Sequence, residues 1–272
     1  MNSISFLVKL FLLFLLLIET FRTIFIVYYW DKLQVASSPL TETLLSYVNA
    51  MSLDIATASI LVVIPWLLLS INTLFYSCLI KVLLFIYTFS IIIFSTFIYI
   101  AELGIYNEWE EKPTFKIFTY LKHPDEAIAS NPLVYTLMLS AILIISLWAF
   151  YKLTRRVYST YNLNVKINYK VTAFFILVLP IVIFLGARGG TKEIPISQSS
   201  VYFSKHKVYN DVAISTVYNF LHSITENQSI IDGKNSYKIE LDEKIKKIIL
   251  DELMATPQAC ESEKILTISR PN

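Results

Sequence analysis

The sequence predicts an all-α polytopic membrane protein: five transmembrane helices, followed by an extracytoplasmic linker with two amphipathic helices. Three observations carry this. The 272 residues are 55% hydrophobic and only 16% charged, where a soluble domain of this size carries nearer a quarter charged residues. Mean hydropathy is +0.57, and apolar runs of bilayer-crossing length recur along the first two thirds. Arg188 is the first charge after the last of these runs, and the chain beyond it changes to a water-compatible composition. The division expected is therefore a transmembrane domain over residues 1–187 and a linker over residues 188–272.

The first span is expected over residues 6–28. Glu19 and Arg22 lie within it, spaced i, i+3, so they share a helix face. An unpaired charge in hydrocarbon is costly, so the two are expected to pair or to face other helices. Tyr28, Tyr29 and Trp30 form an aromatic interface anchor. No small-residue cleavage site follows the first apolar stretch, which argues against a removable signal. Residues 31–50 read as a polar loop containing Pro39.

The second span is expected over residues 53–71. Asp54 sits near its end, where solvation accounts for it, and Pro65 should kink the helix. The third covers residues 82–100. Residues 102–131 then read as a loop mixing Glu110, Glu111, Lys112, Lys116 and Lys122 with Phe115, Phe118 and Tyr120. Such apolar content needs a surface to bury against, so the loop is expected to lie on the membrane face. The fourth span runs over residues 132–151, with Pro132 in its first turn. The next connection holds Lys152, Arg155, Arg156, Lys166 and Lys170 and no acidic residue. Positive loops stay cytoplasmic. A fifth span, residues 171–187 with Pro180, then places the N-terminus inside and the C-terminal part outside. Cys78 and Cys260 would fall toward opposite faces, too far apart to bridge.

In the linker, Val217, Phe220, Leu221 and Ile224 recur at helical spacing, predicting an amphipathic helix over residues 211–225 with Asn210 and Asp211 as caps. Leu241, Ile245, Ile248, Ile249 and Leu253 predict a second. Residues 232–235 read as a turn, and Ile265–Ile268 as a strand. The Arg188–Ser223 segment carries too many aromatics for a free tether. It is expected to dock, through Phe220 and Leu221, on the membrane face or on another domain, with Arg188 fixing the exit point, where it could hold a lipid phosphate.

No chemistry is legible in this chain. His123, His206 and His222 are scattered, no Cys/His spacing suggests a metal, and neither a phosphate-cradling glycine loop nor a nucleophile elbow is present. No catalytic residue and no cofactor are expected in it. A net charge of +2 gives no reason to expect a nucleic-acid partner.

Glu102-x-x-x-Tyr106-x-x-Trp109, with Tyr120-Leu121-x-x-Pro124-x-Glu126, forms one group of spaced motifs. Arg188-Gly189-Gly190 and Ile194-Pro195-Ile196 form a second. Tyr202-Phe203-Ser204, Asn210-x-x-Ala213 and Asn219-Phe220-Leu221-x-Ser223 form a third. In this order the chain resembles the N-terminal half of the lipoteichoic acid synthase-like family. These are membrane phosphotransferases and sulfatase-like enzymes of the alkaline phosphatase superfamily. Arg270-Pro271-Asn272 is similar to the residues that, in that family, lead into the first catalytic strand. The resemblance implies a membrane anchor and linker for a catalytic domain absent from these 272 residues, in the bacterial cytoplasmic membrane. That domain would supply a threonine nucleophile and a divalent cation, and would transfer a phosphoglycerol- or phosphoethanolamine-type headgroup from a membrane lipid. Lys112 departs from the family pattern, which has arginine there. Two other readings compete: a small multi-pass transporter subunit, for which Glu19, Arg22, Asp54, Pro65 and Pro180 speak, and a non-catalytic membrane scaffold.

Overall fold

The computed structural model describes residues 3–74, 78–117, 133–161 and 172–227. The chain divides into two compact units, Met1–Thr225 and Glu226–Asn272; the description below concerns the first. The expected second amphipathic helix, the 232–235 turn, the Ile265–Ile268 strand, Cys260, the 120–126 motif, the 270–272 motif, and Lys166 and Lys170 all lie outside the described residues.

Helices α1 (Ser3–Tyr28), α3 (Pro39–Leu74), α4 (Cys78–Trp109) and α5 (Leu133–Ser159) form the bundle, with a short α2 (Trp30–Leu33) after the first. All four long helices are long and apolar enough to cross a bilayer, whereas a further apolar stretch, Phe174–Arg188, is shorter. At 1.5 Å per residue its 15 residues reach about 22 Å, against a hydrocarbon core of about 30 Å. It consists of a π-helical turn, Phe174–Val178, and α6, Leu179–Arg188.

Polarity is inverted relative to a soluble bundle. Val27, Leu44, Val48, Leu133, Val134, Ile144, Ile145, Leu177 and Phe184 are exposed, while Ser46, Thr57, Thr88, Ser95, Thr96 and Thr154 are buried. An apolar exterior around a partly polar interior suits hydrocarbon as the surrounding solvent. On α5 the buried stripe is Ser146, Phe150, Thr154 and Tyr158, one face at four-residue spacing. Phe6 of α1 stacks on Tyr161 and meets Tyr158 edge-on, so the start of α1 and the end of α5 share one end of the bundle. That end carries Lys9, Lys81, Lys152, Arg155 and Arg156 and no described acidic residue. The opposite end is where α1 and α4 finish and α3 starts.

The helices run past the expected span limits toward that opposite end. Residues 39–50 are helical, not loop. Pro39 occupies the first helical position after Ser38, and Glu42 lies in the first turn, both favourable for a helix start. Residues 102–109 complete α4 rather than opening a loop. At 36 and 32 residues, α3 and α4 measure about 54 and 48 Å, so both project beyond a bilayer core.

Each intramembrane proline is compensated by a side chain of a neighbouring helix. Pro65 cannot donate to Leu61 O, and the Tyr87 hydroxyl of α4 donates to that carbonyl at 2.9 Å. In the π-helical turn the Leu179 N–H reaches back to Phe174 O. Phe175 O is thereby bypassed, and its next backbone partner is Pro180, which has no N–H. The Trp66 indole of α3 donates to it at 3.0 Å. Close approach of α6 to α3 is set by Gly186, where a Cβ would come within 2.4 Å of Ser59 Oγ.

Candidate functional site

The end of the bundle with the projecting helices is capped by the chain that follows α6. Gly189 ends that helix in the left-handed region, φ 82°, and Gly190 N–H bonds back to Leu185 O at 2.8 Å. A Cβ on Gly189 would also strike Ile196 at 2.5 Å. Arg188 donates to the carbonyls of Lys192 and Glu193 at 3.1 and 2.8 Å, and its own carbonyl accepts from Ile196 N–H at 2.9 Å. In this structure Arg188 thus folds the exit loop, with two bonds from one terminal nitrogen to backbone carbonyls.

A 3₁₀ turn, Gln198–Val201, leads to α7 (Lys207–Ala213) and α8 (Thr216–Glu226). The single helix expected over residues 211–225 is therefore two, separated at Ile214 and Ser215. Asp211 is not a cap: it sits inside α7 and is buried. Asn210 is not a helix cap either. Its Oδ1 accepts from the N–H groups of Phe203 and Ser204 at 3.0 and 2.9 Å, and its Nδ2 donates to Ser204 O at 2.7 Å, closing the turn before α7.

Three buried polar contacts that involve charged side chains join this cap to the bundle. In the first, Arg22 of α1 donates to both carboxylate oxygens of Asp54 on α3, at 2.6 and 2.7 Å, and its Nε donates to Val212 O at 3.0 Å. Val212 O belongs to the last turn of α7, one of the carbonyls a helix leaves without an internal partner. Glu19 adds an ion pair to Arg22 at 2.8 Å. The expected i, i+3 pairing is present, but the two-pronged partner is Asp54. That residue is fully buried, so pairing and not solvation explains it.

In the second contact, Glu102 at 2% exposure accepts from Lys112 Nζ at 2.5 Å and from Thr216 Oγ1 at 2.6 Å. Lys112 Nζ also donates to Thr216 Oγ1 at 3.0 Å and lies 5.2 Å from the Phe25 ring centre. The third is Tyr106, whose hydroxyl donates to Asp211 Oδ2 at 2.7 Å. Burial raises the Asp211 carboxyl above its usual range, opposed by the Tyr106 hydrogen bond and by the charges of Lys112 and Lys207. Arg22, Tyr99, Glu102, Lys112, Ser215 and Thr216 help line a chamber of about 10 Å³ between these groups, room for about one water.

Apolar and backbone contacts extend the seam. Phe220 is buried, with its ring 5.7 Å edge-on from that of Phe94 on α4, and Leu221 packs partly buried against the main core. Tyr209 is fully buried and donates to Leu33 O. Asn219 Nδ2 donates to Pro113 O at 2.7 Å, and Ser223 Oγ accepts from Phe115 N–H at 2.9 Å. Among the described residues after α4, Pro113 is buried and Phe115 half-buried, and both contact α8 through these bonds, while Phe118, Tyr120 and Lys122 lie outside the described residues. Trp109 closes α4 half-buried.

The structure thus brings Glu102, Tyr106, Phe220, Leu221, Glu19 and Arg22 to one seam and sets Arg188 apart in the exit loop. Sequence reading passed over Asp54, Lys112, Asp211 and Thr216 as partners. Lys112 was legible as one charge of a mixed loop and as a departure from the family pattern, and Asp54 as a charge near the end of the second span. Among the described residues no group of three or more His, Cys, Asp or Glu is placed to hold a metal ion. No family model, curated protein or solved structure matches the chain.

Proposed function

We propose that this chain is the membrane platform of a lipoteichoic acid synthase-like phosphotransferase. In this reading it crosses the membrane five times, N-terminus inside, and presents the α7–α8 cap on the outer face. One observation carries the reading: several motif residues of the resemblance, Glu102, Tyr106, Asn219, Phe220 and Ser223, lie in the seam. Glu102 meets Thr216, Tyr106 meets Asp211, Asn219 and Ser223 meet the segment after α4, and Asn210 closes the turn at Phe203 and Ser204. Motifs far apart in sequence thus serve one purpose, fixing the post-membrane chain to the bundle. The segregation of Lys9, Lys81, Lys152, Arg155 and Arg156 at the other end, without an acidic residue among those described there, supports the orientation. A fixed platform would hold a catalytic domain at the lipid surface and raise the effective concentration of lipid substrate.

The test is the native polypeptide. An antibody to residues 198–223 should detect, in native membranes, a band well above 31.3 kDa. The protein purified from those membranes should release diacylglycerol from phosphatidylglycerol or phosphatidylethanolamine only with a divalent cation. Phe220→Ser should lower that activity while sparing hydrolysis of a small soluble phosphodiester. A native polypeptide of 31.3 kDa, or a larger one inactive on both substrate types, would overturn the proposal.

A further inference from the structure

Beside the seam lies a second recess of about 410 Å³, a size typical of small-molecule sites. Lys32 of α2, Lys205, His206 and Lys207 at the start of the cap, Tyr106 and Glu110 line it. The lysines come from chain segments more than 170 residues apart, and the docking of α7 is what brings them together. Lys32 is held over the rings of Tyr29 and Tyr106, 5.8 and 5.6 Å from their centres. Lys207 donates to the carbonyl of Glu110. Three ammonium groups thus face one lining carboxylate. Glu110 meets Lys32 at 3.5 Å from a side chain that is 68% exposed, so that pair is loose and solvent-screened. The nearby Asp211 carboxylate is taken by the Tyr106 hydroxyl. Asp31, beside Lys32, and Glu111, beside Glu110, are exposed. Among the described residues Lys205 and Lys207 lie in no ion pair.

We propose that this recess binds a phosphate-ester anion, with the headgroup of an anionic membrane lipid as its source. Two features select that chemistry. Lysine ammonium groups on mobile stems converge as point charges, which suits phosphate oxygens. Lys32 of the recess also lies over Tyr29, one of the aromatic residues at the end of α1, where tyrosine and tryptophan mark headgroup depth. The inference needs only the membrane placement of the bundle, not the transferase reading.

The experiment uses the full-length protein in phosphatidylcholine nanodiscs doped with phosphatidylglycerol carrying a photoactivatable headgroup. Crosslinks are mapped by peptide mass spectrometry. Label should concentrate on peptides containing residues 29–35 and 205–208. In the Lys32→Gln, Lys205→Gln, Lys207→Gln triple variant it should fall on the order of tenfold. Glu110→Gln should raise the yield, because it removes the one carboxylate that competes for Lys32; a misfolded protein would not show that gain. Excess soluble glycerol phosphate distinguishes the sources. Persistence of label assigns recognition to the membrane-anchored headgroup, and displacement assigns it to the phosphate ester itself; both support the recess. Label absent from these peptides, or unchanged in the triple variant, would overturn it.

Discussion

Arg22 and Asp54 meet through two parallel hydrogen bonds of 2.6 and 2.7 Å, joining α1 to α3 in the bundle interior. The same guanidinium reaches Val212 O at the end of α7. One side chain therefore ties two membrane helices and the cap, and breaking the pair leaves an uncompensated buried charge. Asp54→Ala or Arg22→Met alone should destabilise the protein in detergent by about 3–5 kcal/mol. The double variant Arg22→Met, Asp54→Leu should lose less than Arg22→Met alone, since it no longer buries the Asp54 charge without its partner, while Glu19 loses its ion pair in both. Thermal unfolding followed by tryptophan fluorescence checks this; additive losses would contradict it.

The proline compensations make a separate prediction. Tyr87→Phe strands Leu61 O, and Trp66→Phe strands Phe175 O, each costing about 1–3 kcal/mol. Pro65→Ala returns a backbone N–H to Leu61 O, so Tyr87→Phe should cost markedly less in a Pro65→Ala background. Equal costs in both backgrounds would show that the Tyr87 bond does not serve the proline.

How much of this was legible in the sequence follows from where each constraint resides. The cores of α1 and α5 are long apolar runs whose length alone marks them as spans. The start of α3 was misread because residues 39–50 mix polar and apolar groups. Their helix is held by tertiary contacts, such as Ser46 near Tyr209 O at 3.4 Å, which no local pattern announces. The periodicity of Val217, Phe220 and Leu221 was visible and the burial followed. The break at Ile214–Ser215 was hidden, because Arg22 and Glu102 impose it from other helices. Glu19 and Arg22 share a face by spacing alone, but Asp54 becomes a partner only once α1 and α3 are set in register.

Asp211 gives the seam a pH dependence. Its carboxyl is raised in the folded state, mainly by burial, so the folded protein holds its proton more tightly than the unfolded chain. The stability this contributes is present in full below the unfolded value of about 3.9 and is lost as pH rises through the folded value. Asp211→Asn keeps an oxygen acceptor for Tyr106 and should flatten the stability profile over that interval. A profile of the same slope in wild type and variant, from unfolding midpoints across pH, would reject the assignment.

Gly186 and Gly189 should tolerate alanine poorly for different reasons. Gly186→Ala forces a Cβ onto Ser59 across the α3–α6 contact, an overpacking cost of about 1–3 kcal/mol. Gly189→Ala strains a left-handed residue and meets Ile196 as well. Gly190, also left-handed in φ but with open space around its Cβ position, should suffer from the backbone alone and so lose less than Gly189. Unfolding midpoints of the three variants give the order directly.

The central claim is that residues 189–225 are a fixed part of the bundle and not a tether. Hydrogen–deuterium exchange of residues 207–225 in the full-length protein tests it most directly. The seam predicts slow exchange throughout this segment in wild type. Glu102→Ala, which strands Lys112 and removes the acceptor of Thr216, should speed it by at least about tenfold while leaving the middle of α1 unchanged. Exchange of residues 207–225 at the rate of an unstructured peptide in wild type, or no change in the variant, would contradict the account.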